Sequence, residues 1–297
     1  MQQRRRRRGR DPHRGGSTTE TATATETAAA ATETATATEA PTEAEANAVT
    51  IGASEFAFDL SNANFVPGTN AITMNNTGEQ VHHLQFVGLT EGTTMEDLTA
   101  GLQAFEEGGP FPEFATLTGG VGQIGPGASA GTVAELQAGT YALLCLVPDP
   151  ADGVPHFAKG MAALIEVAGD ENTAAVPEAN FEVTAVDYGF EAPDSVAAGD
   201  VVLKLSNNGG EPHEANLLQL AEGATVEDAV AFFTSEAPPA GPPPFTNVGG
   251  AQGIFPGDST VATVNLAAGN YALICFIPNA EGAPHFVLGM TKEFAAE

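Results

Sequence analysis

One stretch of this sequence occurs twice, and each copy carries a cysteine, a histidine and a methionine in the same order. The first copy reads Tyr141-Ala-Leu-Leu-Cys145-Leu-Val-Pro148, followed by Pro155-His156-Phe157 and Gly160-Met161. The second copy reads Tyr271-Ala-Leu-Ile-Cys275-Phe-Ile-Pro278, followed by Pro284-His285-Phe286 and Gly289-Met290. Each apolar run is typical of a strand that ends at the cysteine, and the loop after it returns the histidine.

The repetition extends over most of the chain. The offset between matching residues stays between 129 and 132. Glu55-Phe56-Ala57-Phe58 matches Asp187-Tyr188-Gly189-Phe190, and Asn75-Asn76-Thr77-Gly78-Glu79 matches Asn207-Asn208-Gly209-Gly210-Glu211. These matches indicate a tandem duplication. Because two copies are too few for a solenoid, we expect each copy to close its own core.

The pattern within each copy predicts an all-β fold. Val201-Val202-Leu203-Lys204-Leu205 is rich in β-formers and ends at the turn signal Asn207-Asn208-Gly209-Gly210. One helix is expected after Thr94 and its counterpart after Thr225, because acidic residues follow each threonine. We predict two tandem Greek-key β-sandwich domains, each with one short inserted helix, after a disordered N-terminal tail. The predicted boundaries are 1–46 for the tail, 47–168 for domain 1, 169–178 for the linker and 179–297 for domain 2.

The N-terminal tail has two parts. Residues 1–16 are rich in arginine but lack the apolar segment that follows the positive start of an export signal. Residues 17–46 consist mostly of Thr, Ala and Glu, a composition typical of a disordered tether. No run of 18 or more apolar residues is present, so no transmembrane segment is predicted, and attachment to the cell surface through the tether stays open.

The charge of the chain is strongly negative. The formal net charge is −28, and the only Lys or Arg residues after residue 46 are Lys159, Lys204 and Lys292. Such a surface repels nucleic acid and anionic membranes and favours cationic partners. Adaptation to high salt explains the same composition equally well, and the sequence does not decide between the two.

A second histidine lies upstream in each copy. Alignment from the shared Glu-Gly pairs places His82 against His213 and His83 against Glu214. Strand alternation then points His82 and His213 inward, while His83 is expected to face solvent. The predicted metal ligands are His82, Cys145, His156 and Met161 in the first copy, and His213, Cys275, His285 and Met290 in the second. A thiolate, two imidazoles and a thioether form the set that copper prefers in electron-transfer sites.

These motifs resemble the cupredoxins, the family of plastocyanin and auracyanin. The resemblance rests on Tyr-x-x-x-Cys, the following His and Gly-Met, the upstream His, and the opening Asp187-Tyr188-Gly189-Phe190 with Pro193 and Ala198-Gly199-Asp200. It implies a Greek-key sandwich with copper near one end. One departure is the loop between Cys and His, which holds ten residues in the first copy and nine in the second, against two to four in most cupredoxins. The extra residues either bulge outward and leave the ligands in place, or alter the site.

The sequence therefore predicts an extracytoplasmic type 1 (blue) copper protein that carries electrons, with one copper in each domain. The predicted partner is a redox protein with a basic docking patch. Two alternatives stay open: copper binding and delivery without redox turnover, and a metal-free interaction module. A disulfide between Cys145 and Cys275 is not expected, because the two cysteines hold equivalent places in separate domains.

Catalysis is not expected from the sequence. The resemblance extends to two-domain copper nitrite reductases and small laccases, in which further histidines, one of them next to the type 1 cysteine, hold a catalytic copper. Here the neighbours of Cys145 are Leu144 and Leu146, and Cys275 lies between Ile274 and Phe276. Since no His-x-His pair is present either, the prediction is that the protein is not an enzyme.

Overall fold

A computed structural model describes residues 44–106, 109–235 and 241–297 of the protein. The arginine-rich head and nearly all of the predicted tether lie outside these residues. The described part is built almost entirely of β-strands, in agreement with the predicted fold class. None of its helices has the length and hydropathy needed to cross a membrane.

The same succession of elements occurs in both repeats. The first repeat forms β1 (Asn47–Ser54), β2 (Ala57–Asp59), β3 (Gly68–Asn76), β4 (His82–Leu89), α1 (Met95–Glu106), β5 (Ala115–Ile124), β6 (Ser129–Leu136), β7 (Gly139–Leu144) and β8 (Ala162–Val167). The second forms β9 (Phe181–Val186), β10 (Gly189–Glu191), β11 (Ser195–Val196), β12 (Gly199–Asn207), β13 (His213–Leu220), α2 (Val226–Phe233), β14 (Phe245–Ile254), β15 (Ser259–Leu266), β16 (Gly269–Ile274) and β17 (Thr291–Ala296). One-turn 3₁₀ helices span His156–Lys159 and His285–Leu288.

The strands form two sheets, and both sheets run through both repeats. The eight-stranded sheet has the order β10-β9-β12-β15-β6-β3-β1-β2. The nine-stranded sheet has the order β11-β17-β16-β13-β14-β5-β4-β7-β8. Each repeat thus supplies about half of each layer, so that two Greek-key sandwiches lie side by side with their sheets joined.

The sheets join where an edge strand of the first repeat pairs with the equivalent strand of the second repeat. β5 pairs antiparallel with β14, where Ile124 lies opposite Val248 and, symmetrically, Thr118 lies opposite Ile254. β6 and β15 pair in the same manner. This is the isologous contact of a twofold dimer, here formed within one chain. It pairs strand edges that a separate sandwich would leave open to other chains.

A single buried cluster fills the space between the sheets. It contains residues of the first repeat such as Ile51 and Phe86 and residues of the second such as Phe181 and Leu203, all fully buried. The expectation of a core closed within each copy is therefore wrong. The reason is the strand junction, which brings the two sandwich interiors into contact.

The two helices cover the face of the nine-stranded sheet that lies opposite this core. α1 packs on a cluster around Leu98 and Leu144, and α2 packs on a cluster around Ala229 and Ile274. The side chain of Thr225 caps α2 by accepting a hydrogen bond from the backbone N–H of Asp228, as the sequence predicted. Because the helices cover this face, the first six residues of β4 and of β13 are buried without alternation.

Candidate metal centres

Three elements deliver the donor atoms of the first site. β4 begins at His82, Cys145 follows the last residue of β7, and the 3₁₀ helix begins at His156. The Nδ1 atoms of His82 and His156 lie 3.2 Å apart. Cys145 Sγ lies 4.0 Å from Nδ1 of His82 and 3.5 Å from Nδ1 of His156. All three side chains are fully buried.

The second site repeats this arrangement with the corresponding residues. His213 Nδ1 lies 3.1 Å from His285 Nδ1, and Cys275 Sγ lies 3.5 Å from His285 Nδ1. The three ligand atoms lie within 4.8 Å of one another, as they do in the first site. Both cysteines are free thiols in the interior, so no disulfide joins the repeats.

The spacing of these atoms fits a metal ion. The circle through the three donor atoms of the first site has a radius of about 2.1 Å, which is within the range of protein nitrogen and sulfur bonds to a d-block ion. The donor set is also the one that suits copper, since it combines a soft thiolate with imidazole nitrogens.

The outer nitrogens of the rings decide which nitrogen faces the centre. His156 Nε2 lies 2.9 Å from Oε1 of Gln80, and His82 Nε2 lies 3.5 Å from Oε1 of Glu55. In the second site, the corresponding contacts are His213 Nε2 to Asp187 Oδ1 at 3.4 Å and His285 Nε2 to Glu211 Oε2 at 3.3 Å. The contacts of His156 with Gln80 and of His213 with Asp187 are hydrogen bonds, so in each site one ring holds its proton at Nε2 and directs the Nδ1 lone pair at the centre. The outer nitrogens of His82 and His285 have no hydrogen-bond partner. Because the two Nδ1 atoms of each site lie at hydrogen-bond distance, the second ring can donate its Nδ1–H to the first, and a bound metal ion would replace that proton.

The buried thiols need a metal to ionise. Burial raises the pKa of Cys145 to about 12 and raises that of Cys275 well above its ordinary value. Backbone N–H groups oppose this in part: those of His83 and Val147 donate to Cys145 Sγ, and those of Glu214 and Ile277 donate to Cys275 Sγ. Because a metal ligand must be the thiolate, metal binding at either site releases a proton.

The long loops between Cys and His bulge outward from the sites. In the first repeat, Phe157 N donates to Cys145 O at 2.8 Å, and Pro148 forms a bridge with Pro155. These contacts close a small hairpin before the extra residues begin. Pro278 and Pro284 form the same bridge in the second repeat. Of the two alternatives left open by the sequence, the loops thus follow the first, in which the His and Cys remain together.

His83 does not face solvent, and that expectation is wrong. Its side chain is 4% exposed, and its Nε2 accepts a hydrogen bond from Leu146 N at 2.6 Å. Burial lowers the pKa of His83 to about 3, so the ring is neutral. Glu214 holds the equivalent place: its Oε1 accepts from Phe276 N at 2.9 Å, and burial raises its pKa to about 7. Strand alternation misled the prediction because α1 and α2 cover the second face of the sheet.

The alignment of the turn before the upstream histidine also needs correction. Asn76 Nδ2 donates to the carbonyls of Gln80 and Ile124, while Asn207 Nδ2 donates to those of Glu211 and Ile254. Asn76 therefore corresponds to Asn207, one residue away from the sequence alignment. As a consequence Gln80, and not Glu79, is the counterpart of Glu211.

Sequence reasoning missed one pair of site residues, Phe56 and Tyr188. They adopt φ values of 63° and 61°, which non-glycine residues rarely adopt. The ring of Phe56 meets His156 edge-on at 5.2 Å, and that of Tyr188 meets His285 at 5.3 Å. The repeated aromatic residue beside an acidic one was the available signal. Each aromatic ring contacts one predicted ligand and is held in a strained backbone conformation.

The two methionines lie close to the sites along the backbone. Met161 and Met290 are fully buried. Met161 N donates to His156 O at 2.9 Å, and Cys145 N donates to Met161 O at 3.2 Å. The second repeat has the same two hydrogen bonds around Met290. Their assignment as metal ligands stays a prediction.

Comparison with known proteins gives structural matches. No protein-family model and no curated protein matches the chain. Reduced auracyanin from the photosynthetic bacterium Roseiflexus castenholzii is 28% identical, covering 41% of this chain and 98% of its own, with a TM-score of 0.29. A copper nitrite reductase from Thermus scotoductus is 13% identical over 84% of this chain and 62% of its own, with a TM-score of 0.24. A blue copper oxidase from Nitrosomonas europaea is 14% identical over 85% of this chain and 86% of its own, also with a TM-score of 0.24.

The prediction that the protein is not an enzyme is contradicted by these matches. The solved structures that span both repeats include a nitrite reductase and a copper oxidase, which are enzymes. The prediction, which rested on the residues beside the two cysteines and on the missing His-x-His pair, is therefore withdrawn. What the structure supports directly is a cupredoxin-like fold with two His-Cys-His groups that fit up to two copper ions.

Proposed function

We propose that this cupredoxin-like copper protein carries single electrons through type 1 copper sites, one in each repeat. The observation that carries the proposal is the pair of buried donor sets, each with a cysteine sulfur and two imidazole nitrogens within 4.8 Å. When bound, copper supplies one-electron exchange between its two oxidation states, and sulfur and nitrogen donors together suit both.

The residues of the chain would keep this exchange fast by holding the donors still. The three donor side chains are fully buried, and backbone hydrogen bonds fix the segments that carry Cys145 and His156. In each site a hydrogen bond orients one ring through its outer nitrogen: Gln80 orients His156, and Asp187 orients His213. A site that is dry and rigid before the metal binds has little to rearrange when the charge of the metal changes. Met161 and Met290 would supply the fourth, weaker donor of each site.

The proposal extends to a location and a partner. We place the protein outside the cytoplasm, because the abundant thiols of the cytosol would compete for copper. The net charge of −28 supports docking to a redox partner with a basic patch. Fractionation of the native cells tests the location. A steep fall of the electron-transfer rate with added salt tests the electrostatic docking.

Copper titration tests the proposed function directly. Metal-free protein should bind two Cu(II) per chain and develop a strong visible thiolate-to-copper absorption, with a reversible one-electron response at an electrode. The double variant Cys145→Ser, Cys275→Ser should show neither. Tight Cu(I) binding without a reversible electrode response would instead assign the protein to copper delivery. An unchanged melting temperature with copper would mean that the native state binds no metal, because a ligand of the native state must raise it.

A further inference from the structure

A cleft of about 850 Å³ lies across the junction of the two repeats. It is on the face of the nine-stranded sheet opposite to the main core, since Val87 lines the cleft while the neighbouring Phe86 points into the core. Residues of α1 and α2 line the cleft as well. The walls are largely apolar and include several phenylalanines: Phe105, Phe111, Phe232, Phe233 and Phe276. Both repeats contribute, so the cleft is absent from either repeat alone.

Two polar atoms in the lining lack a hydrogen-bond partner. His83 accepts from Leu146 N through Nε2, so its neutral ring carries the proton on Nδ1. That Nδ1–H group has no acceptor although the side chain is 4% exposed. Asn247 lines the cleft from β14, and its Oδ1 has no donor. An unpaired donor and an unpaired acceptor therefore remain in a largely apolar cleft, where each costs free energy.

We propose that the cleft binds one uncharged aromatic molecule that carries a hydroxyl group. The volume is in the range of small-molecule sites, which combine apolar walls with a few polar groups. A hydroxyl group complements this lining, because it accepts from a donor such as His83 Nδ1–H and donates to an acceptor such as Asn247 Oδ1. An anion is excluded: none of the described lining residues is Lys or Arg, whereas Glu79 and Glu214 are among them.

The cleft also touches the segments that follow both cysteines. Leu146 and Phe276, the residues next to Cys145 and Cys275, line it. A molecule that fills the cleft would thus contact the chain one residue from the predicted cysteine ligand of each site. The binding site itself is formed by the protein alone and does not depend on the proposed electron transfer, so the two proposals can fail separately.

Fluorescence of the neutral probe N-phenyl-1-naphthylamine tests the proposal on the metal-free full-length chain. The probe should brighten on binding with a Kd on the order of 10 µM, the value expected for a ligand of this size. Displacement by 2-naphthol should occur at about fivefold lower concentration than displacement by naphthalene, because the hydroxyl pairs with an otherwise unpaired polar atom of the lining. No brightening, or equal displacement by the two competitors, would overturn the proposal.

Substitutions in the lining locate the site. Leu117→Trp should fill the cleft and weaken probe binding at least tenfold, while Leu164→Trp, on the exposed face of β8, should leave it unchanged. Asn247→Leu places at position 247 the leucine that the first repeat carries at position 117. It should keep naphthalene binding and weaken the preference for 2-naphthol, because one of the two unpaired polar atoms is then absent.

Circular dichroism shows whether each variant is folded. If Leu117→Trp does not fold, Asn247→Trp is tested in its place. Binding that survives both tryptophan variants would place the probe elsewhere and overturn the proposal. Tighter binding of 1-naphthylmethylammonium than of 2-naphthol would do the same, since it would show a cation site. Loss of the probe on raising the protein concentration would assign the cleft to a second copy of the chain.

Discussion

The two metal centres share a backbone but differ in the charges around their rings. The distance between the two Nδ1 atoms is 3.2 Å in the first and 3.1 Å in the second, and the distance from Cys Sγ to Nδ1 of the following His is 3.5 Å in both. The outer nitrogen of His156 faces the neutral amide of Gln80, whereas that of His285 faces the carboxylate of Glu211. Duplication thus kept the donor atoms in place while their surroundings diverged.

This difference separates the expected behaviour of the two sites. Negative charge beside a metal favours its more highly charged state. The first site has one carboxylate at its rings, from Glu55, whereas the second has two, from Asp187 and Glu211. We therefore expect the second site to hold Cu(II) more firmly and to have the lower potential, so that an electron shared between the sites resides on the first.

Single cysteine variants should have the largest effect, because each removes one of the two centres. Cys145→Ser should remove one of the two bound coppers, and Cys275→Ser the other, because each thiolate serves one site. Metal analysis and the visible absorption measure the loss, and each variant acts as the control for the other. If either substitution emptied both sites, the two centres would not be independent.

Exchanging the ring partners sharpens the comparison. Glu211→Gln should raise the potential of the second site, and Gln80→Glu should lower that of the first. In each case the electrostatic free energy of the couple changes by about 1 kcal/mol after allowance for partial exposure. For a one-electron couple this is about 40 mV. Voltammetry of Cys145→Ser and Cys275→Ser backgrounds reads each site alone. Shifts of the same sign in both variants would exclude the electrostatic explanation.

Glycine variants test the turn after each 3₁₀ helix, which has the same backbone conformation in both sites. Gly160 and Gly289 follow the 3₁₀ helices with φ of 116° and 106°, a region that disfavours side chains. Gly160→Ala and Gly289→Ala should each lower the free energy of unfolding by about 1–2 kcal/mol. Urea unfolding of the metal-free protein measures it. Gly241→Ala, which has open space around it and no positive φ, is the control and should change stability little.

The smallest expected effect concerns the outward loops. Lys159 forms ion pairs with Asp149 and Asp152 in the first repeat, while the second repeat has Leu288 in its place. Lys159→Leu should cost less than about 1 kcal/mol in free energy of unfolding, because the lysine is partly exposed to solvent. The reverse variant Leu288→Lys should give no gain. A cost well above this limit would show that the ion pairs hold the loop hairpin together.

Much of the fold followed from local sequence signals. Short apolar runs ended by Asn-Asn-Gly turns gave strands, and Thr225 with Asp228 gave the start of α2, because such signals act between residues close in the chain. The shared order of Cys, His and Met, with the same His-to-Met spacing in both copies, identified the donor groups for the same reason. The prediction that the protein is not an enzyme rested on the residues beside the two cysteines and on the missing His-x-His pair, and the solved structures contradict it.

The sequence by itself determined that the chain is a duplication of a β-rich unit in which one cysteine and two histidines align between the copies. Only the tertiary structure decided that the sheets join across the repeats, that His83 is buried, and that Gln80 and Glu211 lie beside equivalent rings. The physical reason is distance along the chain. Strand propensity and turns depend on neighbouring residues, whereas edge pairing, burial and the partners of a ring nitrogen depend on segments brought together by folding, such as Gln80 and His156, 76 residues apart.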